Sequence, residues 1–195
     1  MAAATVSNNQ ANFSTTGRYV NLPSGLLSSY AAFTVEVWVS TAANSGYTRI
    51  FQVGQGTSNS NSFALYRDAG KCRLTWFNLT GESNCFSSAS FDNQVNMHVV
   101  ITASVGDYAR LYVNGLLKGS TPGVVTQMPP SSTFYIGKSF SPYDPGLIGS
   151  VNEFRIWDGA MSAADIASRY SRGPGECMGG ERVLQGPGEC IGGES

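Results

Sequence analysis

The chain has 195 residues, of which 13% are charged, and a formal net charge of −1; an average globular protein carries about 25% charged residues. Residues 1–172 hold eleven Lys plus Arg against nine Asp plus Glu, whereas residues 173–195 hold one Arg against four Glu. Neither balance supplies the basic stripe that nucleic-acid binding needs, and no window approaches the roughly eighteen consecutive apolar residues of a membrane span. Low charge with abundant Ser, Thr, Asn and Gly predicts an extracellular, cell-surface or virion-surface β-protein. The opening MAAATVSNNQ has neither the basic start nor the apolar run of a signal peptide, so export is expected either after trimming or by another route.

Read in chain order, the dominant period is two. RYVNL (18–22) is followed by FTVEVWVS (33–40), where Phe33, Val35, Val37 and Val39 share one face and Thr34, Glu36, Trp38 and Ser40 the other, the pattern of a half-buried strand. TRIFQVG (48–54), SFALYR (62–67), CRLTWFN (72–78) and VNMHVVITASV (95–105) continue it. In ARLYVNG (109–115) the Asn114-Gly115 pair between alternating residues predicts a hairpin, because both centres of a type I′ turn need positive φ. TFYIGK (133–138) and SVNEFRIW (150–157) complete the set. Many short strands with turns between them predict an antiparallel sandwich, not a parallel α/β sheet. One short helix is expected after Ser162, which with Asp165 three residues on resembles a capping box, running to about Tyr170.

Two units follow: a domain over residues 1–172 and a Gly/Cys-rich tail over 173–195. The tail states GPGEC(M/I)GGE twice, thirteen residues apart. Pro174 and Pro187 preset turns, and Met178 and Ile191 fill the same slot as small apolar anchors. Such a segment cannot bury a core alone, so it reads either as an assembly strap laid on its own or a neighbouring subunit, giving a homo-oligomer or fibre, or as a linker. Cys72 and Cys85 flank an expected hairpin and are predicted to bridge it; Cys177 and Cys190 occupy equivalent places in the repeat and are expected to pair with each other or between chains. Zinc is the competing reading, but twelve intervening residues in each pair without any C-x-x-C do not match its usual ligand spacing.

Taken together, YVNLPSGL, FTVEVWV, RIFQVGQG, HVV(8)ARLYVNG, FYIGKS and GSVNEFRIW followed by AMSAADI resemble the laminin-G-like, concanavalin-A-like domains of bacterial surface proteins and large viruses, over residues 5 to 170. The resemblance implies an all-β jelly roll of two packed antiparallel sheets, in a family of adhesion and binding modules. Fold alone does not assign a function. Related glucanases place paired carboxylates on one strand; no two acids of this domain lie two apart on a predicted strand, and the solitary His98 sits in an apolar run, which favours a packed His98 over a catalytic one. The chain is therefore read as a non-enzyme: an extracellular adhesion or carbohydrate-binding module facing a glycan or glycoprotein surface. Its alternative is a structural subunit of a fibre, surface layer or virion.

Glycan readers place aromatic faces and polar partners on loops above a rigid sheet. Trp76 and Tyr66 in the middle strands, and Tyr143 with Asp144 in SFSPYDPG, are the candidates, each weighed against a packing role in the core. The resemblance also implies a calcium site at the sandwich rim. The position of its usual carboxylate is Asn152 here, and Arg18 stands where an acid is common, so calcium is not expected. Asn12-Phe13-Ser14 and Asn78-Leu79-Thr80 are glycosylation triplets that matter only on a eukaryotic secretory route.

Overall fold

A computed structural model describes residues 4–7, 10–13, 17–55, 61–78, 81–122 and 125–175. Its strands are β1 (Thr5–Ser7), β2 (Gln10–Phe13), β3 (Val20–Leu22), β4 (Ala32–Thr41), β5 (Arg49–Gly54), β6 (Ser62–Asp68), β7 (Lys71–Asn78), β8 (Gly81–Ser90), β9 (Met97–Ser104), β10 (Ala109–Val113), β11 (Leu116–Thr121), β12 (Thr133–Ile136) and β13 (Gly149–Asp158). A single helix among the described residues, α1 (Ala163–Arg172), follows them. A larger sheet of seven strands runs β1-β2-β13-β4-β9-β10-β11, and a smaller sheet of six runs β3-β12-β5-β6-β7-β8. Every pairing is antiparallel. The expected two-sheet jelly-roll sandwich is thus the fold.

The inner faces of both sheets supply one continuous core. Phe33, Val35, Val37 and Val39 of β4 meet Phe51, Phe63, Leu65, Leu74 and Trp76 of the smaller sheet, all buried. Strand β9 is buried on both faces, with His98, Val100 and Thr102 on the outward one. Its inner Val99 and Ile101 lie in this core, while Val100 joins Tyr112 and Ile166 in a separate cluster under α1.

The predicted hairpin is present: Asn114 and Gly115 have φ of 50° and 76° between β10 and β11. The capping box is present too, with Ser162 Oγ accepting from the Asp165 amide at 3.1 Å. The helix extends two residues beyond Tyr170, to Arg172, before Gly173 caps it.

Two expectations are corrected. Strand β4 is not half-buried: Thr34, Glu36 and Trp38 on its second face are as inaccessible as the valines, because α1 lies across that face. Cys72 and Cys85 do not bridge; both are buried thiols. The β7–β8 register places Leu74 opposite Cys85 and shifts between Lys71 and Arg73, so the cysteines share the core face but are staggered along their strands. Cys72 Sγ instead lies 3.9 Å from Met97 Sδ, and Cys85 Sγ abuts Gly119 of β11. Cys177 and Cys190 lie outside the described residues.

Candidate functional site

On the outer face of the larger sheet, polar side chains converge under α1. Antiparallel register sets Arg155 beside Glu36 and Trp38 beside His98. Glu36 Oε1 lies 3.0 Å from His98 Nε2, and its Oε2 accepts from Trp157 Nε1 at 3.2 Å and faces Arg169 Nη1 at 3.5 Å and Arg155 Nη1 at 3.8 Å. Burial alone would push the Glu36 carboxyl up; the His98 hydrogen bond and the charges of His98, Arg169 and Arg155 outweigh it and hold the carboxyl below its ordinary value. His98 is fully buried and stacked on Trp38 with ring centroids 4.5 Å apart. Its packed role is the one anticipated. The helix therefore closes this face with an ionic network, leaving no open cleft beside the carboxylate.

The smaller sheet carries no helix among the described residues. Its outward positions, alternating with the core residues, read Tyr135 on β12, Gln52 on β5, Ala64 on β6 and Thr75 on β7 in one cross-strand row, with Arg49, Tyr66 and Arg73 in the next. Tyr66 is sealed in place. The Arg49 guanidinium sits 4.1 Å from its ring centroid, that of Arg73 at 5.5 Å, and its hydroxyl meets Thr75 Oγ1 at 2.8 Å. Burial pushes the Tyr66 hydroxyl pKa up, opposed by Thr75 and the two guanidinium groups.

This row also pins the loop after β12. Gln52 Oε1 accepts from Phe140 N at 3.1 Å and Arg49 Nε at 3.3 Å, and lies 3.3 Å from Ser139 Oγ. Asp144 Oδ2 takes Ser139 Oγ at 2.7 Å and Arg49 Nη2 at 3.1 Å. The single Ser139 hydroxyl proton goes to the nearer Asp144, so the Arg49 and Phe140 N–H groups fix the Gln52 oxygen, and its Nε2 is left buried without a partner.

At the β3–β12 edge, aromatic rings cluster. Gly137, at φ +81°, turns the chain out of β12 where a Cβ would stand 2.5 Å from the Phe13 ring. The Lys138 side chain then lies over two rings, its Nζ 4.4 Å from the Tyr19 centroid and 4.6 Å from that of Tyr135. Tyr135 packs edge-to-face on Tyr19 at 5.3 Å and on Phe140 at 5.6 Å. All four side chains are half-buried, so they form a partly open aromatic surface.

The residues expected from sequence are distributed unevenly over this face. Tyr143 is 94% exposed. Asp144, one residue on, is spent on Arg49 and Ser139 and anchors the loop. Tyr66 is only 3% exposed with its ring covered, and Trp76 is fully buried, stacked on Phe63 at 4.5 Å. Trp76 is therefore corrected to a core residue: in β7 it alternates with Thr75 and Phe77, and its parity points inward. Tyr19, Tyr135, Lys138 and Phe140 were missed. The alternation in TFYIGK already turned Tyr135 away from Phe134 and Ile136, but nothing local joins it to Tyr19.

Asn152 occupies a bulge in β13, where the register shifts between Val151 and Glu153. Its neighbour Glu153 is ion-paired to Arg155 at 2.9 Å, Arg18 donates to Thr5 Oγ1 at 2.9 Å, and no three His, Cys, Asp or Glu side chains converge among the described residues. One amide beside an engaged carboxylate is a charge-poor donor set, which fits calcium badly. Pro174 lies just past α1, and the next amide, of Gly175, donates to Glu153 Oε1. Met178, Pro187 and Ile191 lie outside the described residues.

The fold has many solved likenesses. A sialidase domain from Ruminococcus gnavus, solved bound to α2,3-sialyllactose, has a TM-score of 0.62 at 15% identity over 82% of this chain and 96% of that one. Domain 4 of an extracellular arabinanase from Geobacillus stearothermophilus, in complex with arabinotriose, has a TM-score of 0.58 at 19% identity over 77% and 71%. The receptor-binding domain of botulinum neurotoxin D reaches 0.64 at 18% identity over 88% of this chain, which spans only 45% of that domain. At these identities the likeness concerns the fold. No curated protein sequence matches the chain. The profile of the concanavalin A-like lectin/glucanases superfamily, Laminin_G_3, matches residues 14–167, and with both sheets and their order in place, the chain belongs to that superfamily.

Proposed function

We propose that the chain is a non-catalytic carbohydrate-binding module of an extracellular or surface-exposed protein, and that it reads its glycan at the β3–β12 end of the smaller sheet. The observation that carries this is the half-buried ring cluster of Tyr19, Tyr135 and Phe140, with the exposed Tyr143 three residues further along the chain, on the sheet face that no helix covers among the described residues. Rings held rigid by a sheet offer apolar faces to sugar C–H groups at little cost in entropy. The arabinotriose and sialyllactose held by two proteins of the same fold support a sugar as the ligand.

The acids support the absence of catalysis. Glu36, Asp68, Glu82, Asp92, Asp144 and Glu153 each pair with an arginine. Glycoside hydrolysis needs two carboxyl groups free to flank one bond, whereas these six are engaged in ion pairs; burial pushes the Glu153 carboxyl up, opposed by Arg155.

Glycan-array binding by the purified chain tests the reading. Tyr135→Ala should weaken binding of any positive glycan about five- to twelvefold, the loss of a stacking platform worth roughly 1–1.5 kcal/mol, and Tyr143→Ala should weaken it less. Hydrolysis of a polysaccharide that disappears on replacing one of the acids would overturn it. A second reading, a structural subunit assembled through the tail, draws on the Gly175 contact with Glu153, which ties the root of the tail to β13. It predicts unchanged assembly in Tyr135→Ala and Tyr143→Ala.

A further inference from the structure

We propose that this face selects a sugar bearing a carboxylate, with Lys138 as the counter-charge; the inference rests on the carbohydrate-binding reading above and specifies its ligand class. The arginines of the smaller sheet are neutralised, and Lys71 at the start of β7 has neither a carboxylate within 4.0 Å nor a ring beneath it among the described residues. Arg49 pairs with Asp144, Arg67 with Asp92, and Arg73 with both Asp68 and Glu82. Lys138 differs. Among the described residues no carboxylate lies within 4.0 Å of it, and its contacts are the rings of Tyr19 and Tyr135 at 4.4 and 4.6 Å.

An ammonium between two ring faces is held in place without being neutralised. The ring quadrupoles attract the ammonium and restrict the long side chain, so less entropy remains to be lost when an anion arrives. Half-burial of Lys138 and both tyrosines lowers the local dielectric relative to water, which strengthens a new ion pair above that of two fully solvated groups.

The surroundings match a sugar acid better than a simple anion. Tyr135 and Phe140 present ring surface beside the cation, which suits the apolar face of a pyranose. Asn21, directly opposite Tyr135 in the β3–β12 register, is exposed on the same face and offers an amide. Gln52, opposite Tyr135 on the other side, is fully buried and forms part of the floor beneath this face. Carboxylate, ring face and hydroxyls are the three groups of a uronic or sialic acid.

The test compares charged and neutral partners by titration calorimetry with the full chain: α2,3-sialyllactose against lactose, and trigalacturonate against its methyl ester. At least one acidic sugar should bind about tenfold tighter than its neutral partner, and the gap should shrink between 50 and 500 mM salt as screening sets in. Lys138→Met should erase the gap while leaving the circular dichroism and melting temperature unchanged; Lys138→Arg should keep it. Equal affinity for charged and neutral partners, or a preference that survives Lys138→Met, overturns the inference and leaves the binding module standing. Failure of all four sugars to bind overturns the inference as well. If a wider glycan array is then also blank, the carbohydrate-binding reading falls with it.

Discussion

At position 36 a carboxylate lies where water does not reach, held by His98, Trp157 and two arginines. Removing one partner of such a buried set leaves the others uncompensated, so Glu36→Gln should destabilise the fold by about 3–5 kcal/mol, read from the urea midpoint. The depressed carboxyl gives a sign to the acid limb. Stability from Glu36 is complete above its unfolded value of 4.5 and is lost as pH falls through the lower folded value; Glu36→Gln should flatten that loss. Cys72 works in the opposite direction. Burial pushes its thiol up from 9.0 to about 12, so above pH 9 the unfolded chain releases a proton that the folded chain keeps. Stability then falls with rising pH, by at most about 1.4 kcal/mol per unit from this thiol. In the native protein at pH 8, Cys72 and Cys85 should resist iodoacetamide and react only in denaturant, as peptide mapping would show. Alkylation of both without denaturant would contradict their burial.

At the scale of elements, α1 and the β10–β11 hairpin lock together. Tyr170 lies against Gly115, where an added Cβ would stand 3.1 Å from the tyrosine Cβ. Its ring stacks over Trp38 at 6.1 Å and 16°. Gly115→Val therefore meets both positive φ and a clash, and should lower the melting temperature by several degrees, since a loss of about 1–2 kcal/mol corresponds to roughly 2–8 °C in a domain of this size. Ser162→Ala removes the cap and should cost about 1 kcal/mol. Both the hairpin and the cap were legible in sequence, because each is written in adjacent residues. Strand β8 was not: GESNCFSSAS is poor in β-formers and exposed along much of its length, and it is a strand because β7 offers it an edge. Strands β1 and β2, three and four residues long, owe their existence to β13 in the same way.

For the whole molecule, the sandwich should survive loss of the tail. Deleting residues 176–195 leaves the helix, its Gly173 cap and the Gly175 contact, so the truncated chain should melt within about 2 °C of the full one; light scattering of both chains, with and without reductant, tests the proposed strap by asking whether only the full chain assembles. Chelation should likewise change the melting temperature little, given the poor donor set around Asn152; a drop of more than about 10 °C would mean a bound metal worth over about 2 kcal/mol. The sequence alone determined the strands that alternate, the Asn114-Gly115 turn, the capped helix and the two-sheet class, since each follows from a period or a local backbone preference. It also placed Tyr143 on the surface between its turn residues. Only the tertiary structure decided which face is open. Parity along β7 cannot say that Trp76 faces inward until the sheet has a partner, nor can β4 show that its polar face will be roofed by a helix more than a hundred residues away in the chain. Tyr19, Tyr135 and Lys138 meet because β3 pairs with β12 across that same kind of distance, and a contact made by closing a long loop leaves no signal in neighbouring residues.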